Sequence, residues 1–288
     1  MSTLTDEPVT RNTKKVDPSL SDFHAREVDF ELDASRITDW CGGDPWRTLY
    51  FNALSLTFPV GERFFISTVA HFRDQITDPK LRAEVAAFIT QEATHTREHI
   101  AYNKAIATIV DVSDLERKLH NHMEVTVRKR LSPVDQLAVT CALEHFTAIM
   151  AEDTLRNTAQ TEGALPEFGR LWTWHALEEC EHKSVAFDVF QLVTNGKRNR
   201  RRMTIMFFAA ISFYIFNARF MYALMKAQGY HRSPVAWAKL IWSIFGNPGP
   251  MRRIIPNYLK YYNRNFHPRD IDDSRVLTDT RQLIATWA

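Results

Sequence analysis

The chain carries two strings that set a carboxylate three residues before an imidazole, Glu92-Ala93-Thr94-His95 and Glu179-Cys180-Glu181-His182. On a helix, residues three apart lie on adjacent turns of one face, so each string aims an anionic oxygen and a ring nitrogen at one place. Those are metal ligands by type. Two single glutamates complete the pattern. Glu62 stands 14 residues before the expected end of its helix near Ile76, and Glu92 stands 12 after Lys80. Glu144 stands 14 before Thr158, and Glu179 stands 13 after Pro166. Two hairpins with short turns would therefore set Glu62 level with Glu92, and Glu144 level with Glu179. One Glu from each of two helices plus Glu-x-x-His from each of the other two is the ligand set of a dimetal carboxylate bundle.

The seams of the expected helices carry these residues where apolar ones belong. Steps of four and three give Leu81, Val85, Phe88, Glu92, His95, His99, Tyr102 and Ile106 on one helix. A second reads Leu137, Cys141, Glu144, Ala148, Ala151, Leu155, and a third Leu171, His175, Glu178 or Glu179, His182, Val185, Val189. A buried charge costs several kcal/mol unless it is paired or holds a metal. Three helices making that choice at mid-length point to a shared ion. Each residue taken singly also has a plainer reading. Glu62, just after Pro59, could merely favour the positive end of a helix dipole. Glu178, Glu179 and Glu181 cannot all face inward, and Glu181 is placed on the solvent side. Cys141 and Cys180 serve adequately as small buried hydrophobes. The six expected ligands are Glu62, Glu92, His95, Glu144, Glu179 and His182. His99 lies four residues after His95 and His175 four before Glu179. On oppositely directed helices both steps lead to the same end, about 5.4 Å along. His99, His175 and Glu178 are therefore further candidates, as ligands, as groups that orient ligands, or as part of a third metal site.

The elements that must position this set are helical. Patterns over roughly 60–76, 80–110, 113–131, 133–158 and 166–194 dominate, and no alternating strand is evident. The expected class is all-α: a ferritin-like four-helix bundle over 45–195, with a long crossover between its hairpins. Residues 1–25 read as a mobile polar arm, and 196–288 as an apolar and aromatic helical extension. Only 9 glycines in 288 residues speak against glycine-rich nucleotide folds and turn-rich β folds. The net charge of +2 gives no sign of an acidic partner or of nucleic acid. Three cysteines form no metal-type pair and no disulfide framework. The polar opening residues lack the apolar core of a secretory signal, so a cytoplasmic setting is expected. The basic run 197–202 followed by apolar Met203 to Phe216 suits either a peripheral membrane contact through 197–225 or a helix covering the bundle or a homodimer interface.

Several stretches carry a family resemblance: Phe58-Pro59-Val60-Gly61-Glu62-Arg63-Phe64-Phe65, residues 88–99 with Tyr102-Asn103, Trp174 through Asp188, and Phe266-His267-Pro268. Over roughly 45–270 the chain resembles the bacterial family labelled "predicted metal-dependent hydrolase", ferritin-like in character. The resemblance implies bound metal more securely than hydrolysis, and it selects Glu62, Glu92, His95, His99, Glu144, Glu179 and His182, with His175. Four carboxylates and two imidazoles without a thiolate suit two metal ions, iron first, with manganese or zinc as alternatives. The favoured expectation is a di-iron oxidase or oxygenase using O₂ on a small apolar substrate, with an external electron donor. The alternative is a metal-dependent hydrolase that activates water, and a third is non-catalytic iron handling.

Overall fold

Helix starts in this chain are spelled as a capping residue followed by proline. Asp44-Pro45, Asp78-Pro79, Ser132-Pro133 and Ser233-Pro234 each place a side-chain oxygen on the first free N–H groups. Proline at the next position needs no N–H partner and already has helical φ. The computed structural model describes residues 16–247 and 249–287. Its helices are α1 (Pro45–Ala70), α2 (Pro79–Ile106), α3 (Ser113–Asn121), α4 (Pro133–Arg156), α5 (Pro166–His182), α6 (Val185–Thr194), α7 (Asn199–Ala227), α8 (Pro234–Phe245), α9 (Met251–Lys260) and α10 (Ser274–Ala285). Among the described residues there is no strand, only a single bridge between Cys41 and Ala164.

The α1–α2 and α4–α5 pairs pack most extensively, and α7 lies across α4 and α1. The interior is aromatic: Phe64, Phe88, Phe146, Phe168, Trp40 and Trp174 are almost wholly buried. Between the two pairs, α3 continues as a π-helix over His122–Arg128. Such wide turns recur at functional sites.

Three boundaries differ from the sequence expectation. Helix α1 begins at Pro45, so Pro59 lies in its interior rather than at its start. Glu62 is therefore a mid-helix residue, and its reading as a dipole partner falls away. The expected helix 166–194 turns at Lys183–Ser184, where the Lys183 ammonium leaves the bundle for the Ile271 carbonyl and Asp273. Of the expected arm, residues 1–15 lie outside the described residues. The following segment packs: Phe23 is buried with its ring centroid 6.5 Å from that of His182, and Lys80 pairs with Asp22.

Helix α7 contains the apolar stretch Met203–Phe216 and is long and apolar enough to cross a membrane. One of its faces is buried, with Met206, Ala209, Phe216 and Phe220 against the bundle, whereas Phe207, Phe208, Ile211 and Ile215 stay exposed.

Candidate metal centre

The ligand-type side chains meet in two neighbouring groups. Glu92, Glu144, Glu179 and His182 bring one ligand atom each within 4.8 Å of one another, and Glu62, His95 and His175 form a second such group. All seven are buried. Antiparallel register assembles them: along α2 and α5, Glu92 faces His182, His95 faces Glu179, and His99 faces His175. Glu179 stands between the groups. Its Oε1 lies 3.5 Å from His95 Nδ1 and 3.3 Å from His175 Nε2, and its Oε2 lies 3.6 Å from His182 Nε2. Glu92 Oε1 is likewise shared, 3.1 Å from His182 Nε2 and 3.9 Å from His95 Nδ1.

Nine buried polar atoms of these seven residues have no hydrogen-bond partner: Glu62 Oε1, both oxygens of Glu92 and of Glu144, Glu179 Oε2, His95 Nδ1, His175 Nε2 and His182 Nε2. Buried polar groups are almost always satisfied, and orphans of ligand type that converge on one place fit a metal.

The opposite nitrogen of each imidazole is held by a partner whose donors are already assigned. His182 Nδ1 donates to Gln91 Oε1, because the Gln91 amide nitrogen is committed to the His24 carbonyl and to Glu181. His95 Nε2 donates to Glu178 Oε2, whose other oxygen accepts from Arg26. The third imidazole is fixed through a longer chain that begins at Pro59. Having no N–H, Pro59 leaves the Ser55 carbonyl without its helical donor, and the Asn103 amide donates to it at 3.1 Å. That sets Asn103 Oδ1 as acceptor for the Ser55 hydroxyl, 2.7 Å away. Ser55 Oγ then accepts from His99 Nδ1 at 2.9 Å, and His99 Nε2 accepts from His175 Nδ1 at 3.0 Å. His175 Nε2 is left with a lone pair facing Glu62 and His95. In all three rings the outer nitrogen is a donor, so the inner nitrogen is the one a metal would take once any proton on it is displaced.

Electrostatics follow from burial and from the neighbours. Burial, with the charge of Glu92 next, pushes the Glu144 carboxyl up to about 8. Burial opposes a charged His95, yet the Glu178 carboxylate that accepts from it and the facing Glu179 carboxylate outweigh burial and raise the ring to about 10. Burial and the neighbouring His95 bring His175 down to about 4.

Every expected ligand lies in one of the two groups, and the further candidates divide. His175 joins Glu62 and His95. His99 has both nitrogens engaged, by Ser55 and His175. Glu178 has both oxygens engaged, by Arg26 and His95. Glu181 is not on the solvent side: its side chain is 1% exposed and is held by Arg26, Arg281 and Gln91. Glu178 and Glu179 are buried and the Glu181 side chain is shielded, with Arg26 and Arg281 supplying cations that the string itself lacks. Cys141 and Cys180 are buried thiols in neither group. Sequence reasoning passed over Gln91, Thr96, Ser55, Asn103 and Arg26. Thr96 donates to Glu62 Oε2 at 2.9 Å. A polar residue inside an apolar helix was the available signal for Ser55, Asn103 and Gln91; Arg26, in irregular chain, gave none.

A cavity of about 660 Å³ adjoins both groups. It is walled by α1, the π-helix, α4 and α7, with Glu62 and Glu179 in its lining beside Phe58, Phe65, Val139 and Leu143.

Residues 24–272 match the family model described as "Predicted metal-dependent hydrolase". No curated protein and no solved structure matches the chain.

Proposed function

Because the chain belongs to the family described as predicted metal-dependent hydrolase, we propose that it is a dinuclear metal enzyme that hydrolyses an apolar substrate. The observation that carries this reading is the pair of adjacent ligand groups whose residues also line an apolar cavity. Glu92, Glu144, Glu179 and His182 would hold one ion, and Glu62, His95 and His175 the other, with Glu179 and Glu92 between them. That sharing, together with the helix pairs α1–α2 and α4–α5 joined by a long connection, supports a ferritin-like bundle. When bound, the ions supply positive charge that polarises a substrate oxygen and acidifies water.

The chain's own contribution is position and dryness. Gln91, Glu178 and His99 each accept from the outer nitrogen of one imidazole, so no ring must reorient on loading. Thr96 fixes one oxygen of Glu62 and leaves the other toward His95 and His175. Phe58 stacks on His175 with centroids 4.8 Å apart, and Phe88 stands edge-on to His182 at 4.9 Å, so aromatic faces keep bulk water from the ligand nitrogens.

A second reading, oxidation of the same kind of substrate, draws on the donor set itself. Carboxylate and imidazole without thiolate suit iron and manganese as well as zinc. Metal-free protein reloaded with zinc, manganese or ferrous iron separates the two. Ester hydrolysis by the zinc or manganese form without oxygen supports hydrolysis. Oxygen uptake by the iron form with a reductant, and no hydrolysis by any form, supports oxidation.

A further inference from the structure

We infer that the cavity beside the metal centre binds a long-chain amphiphile with an anionic end group, laid along α7 so that a point well inside the chain faces the ligand residues. The inference rests on the dinuclear reading and names the substrate class of that site.

The cavity wall asks for a hydrocarbon. Besides the aromatic and aliphatic residues of α1 and α4, three of its four threonines turn their hydroxyls away from a ligand. Thr57 bonds the Leu54 carbonyl, Thr147 the Glu144 carbonyl and Thr204 the Arg200 carbonyl, at 2.7, 3.0 and 3.0 Å. Ser212 and His122 satisfy one another at 2.9 Å. What remains polar is Thr126, the pair Glu62 and Glu179, and cations.

The shape asks for length. The lining follows α7 from Arg201 to Arg219, which is about 27 Å of helix. Two contacts set the register of α7 on α4: Arg201 bonds Asp135 at 3.1 Å, and Phe213 stacks on Phe146 at 5.6 Å. Glu144 lies nine residues beyond Asp135, level with residue 210 of α7 and midway between Arg201 and Arg219. A ligand whose end group sits at either end of the cavity therefore presents to the metal ligands an atom about 13 Å from that end.

The charges ask for an anion. Arg201 is paired with Asp135. Among the described residues, Arg130 and Arg219, which also line the cavity, have no carboxylate partner; Arg219 rests over the Phe216 ring at 5.6 Å. Both are exposed, where a carboxylate or phosphate can stay hydrated while its chain enters. Entry is available at the face where Phe208, Ile211 and Ile215 both line the cavity and remain exposed. The ligand can arrive from a bilayer or from solution; the recognised chemistry is the same.

Binding, not turnover, tests this. Metal-loaded full-length protein is titrated with palmitate, octanoate and hexadecanol by displacement of a fluorescent fatty acid. Palmitate should bind saturably, and octanoate, too short to reach the centre, at least about tenfold more weakly. The Arg130→Gln/Arg219→Gln double variant should lose about tenfold in palmitate affinity and less than about twofold for hexadecanol. Leu143→Trp, which fills the cavity, should abolish binding while metal content stays unchanged; Ala209→Phe replaces it if that variant does not fold. Palmitate affinity untouched by both the arginine and the cavity-filling changes overturns the inference, as does equal binding of octanoate. Repeating the titration with palmitate carried in phosphatidylcholine vesicles, and with palmitate free, tells a bilayer source from a soluble one; binding from either upholds the site. Palmitate binding of this kind without hydrolysis of long-chain esters by any metal form retires the hydrolytic reading and leaves the amphiphile site standing.

Discussion

Helix α5 buries acidic groups on two faces. On one, Glu178 and Glu181 meet Arg26, Arg281, Gln91 and the outer nitrogen of His95. Burial alone would raise the Glu178 carboxyl, but the His95 bond and the Arg26 charge hold it below the ordinary carboxylate range. On the other face Glu179 meets imidazoles and further carboxylates, and one of its oxygens has no donor. Across from it, Glu144 has no donor for either oxygen. Two neighbours in sequence, both buried, thus differ in the positive charge they meet: Glu178 has a permanent guanidinium, whereas Glu179 has only titratable imidazoles, shared with further carboxylates. Where the cation is permanent, the carboxylate is a strut; where it is an imidazole that can lose its proton, the group is free to take a metal ion.

The contrast breaks most visibly by substitution on the uncompensated face. Glu179→Ala, which removes the group shared by both clusters, should drop bound metal from about two ions per chain to one or none. Glu178→Gln should retain metal, since its remaining carbonyl oxygen still accepts from a donor. Elemental analysis of the two purified variants decides between them, and equal loss in both would erase the distinction drawn here.

A subtler probe addresses the chain of bonds that starts at Pro59. Asn103→Leu leaves every ligand in place but releases Ser55, and through it His99 and His175. Metal affinity should fall about ten- to a hundredfold, while His99→Ala should behave alike without reducing the number of sites. Competition with a chelator measures both. His175→Ala, by contrast, should lower the number of ions bound tightly.

pH separates the faces as well. In metal-free protein a Glu144 carboxyl raised to about 8 carries a proton at neutral pH, and so does a His95 ring raised to about 10. Metal must displace both. Apparent affinity should therefore climb with pH through both values, with protons released on loading in weakly buffered solution. An affinity independent of pH between 7 and 10 contradicts the assignment of these two groups.

The smallest effect belongs to the compensated face. Glu181→Ala should leave metal content unchanged and cost about 1–2 kcal/mol of stability in the metal-free chain, because its partners Arg26 and Arg281 are partly solvated. Chemical denaturation reads this directly.

Much of the site was legible because helical periodicity turns spacing into position. Glu-x-x-His twice, with Glu62 and Glu144 on the other two helices, brought the six residues together but not their division into groups: α1 ends at Ala70 rather than near Ile76, and Glu62, expected level with Glu92, joins His95 and His175. The antiparallel meeting of His99 with His175 followed from the same arithmetic. What could not be read was compensation between distant segments. Nothing near Glu178 or Glu181 announces Arg26, more than 150 residues away, so Glu181 passed for a surface charge. The start of α1 was misplaced because proline ordinarily opens or ends a helix; here Asn103 takes over the freed carbonyl, and the helix runs through. The apolar face of α7 was visible as composition, but only packing shows that it walls a cavity.

The central claim is that two adjacent ions complete the uncompensated face, and equilibrium dialysis of metal-free protein against ferrous iron under nitrogen, followed by elemental analysis, tests it most directly. The expected result is about two ions per wild-type chain and no more than about one in a Glu144→Ala/His182→Ala double variant. The same occupancy in wild type and in the double variant contradicts it.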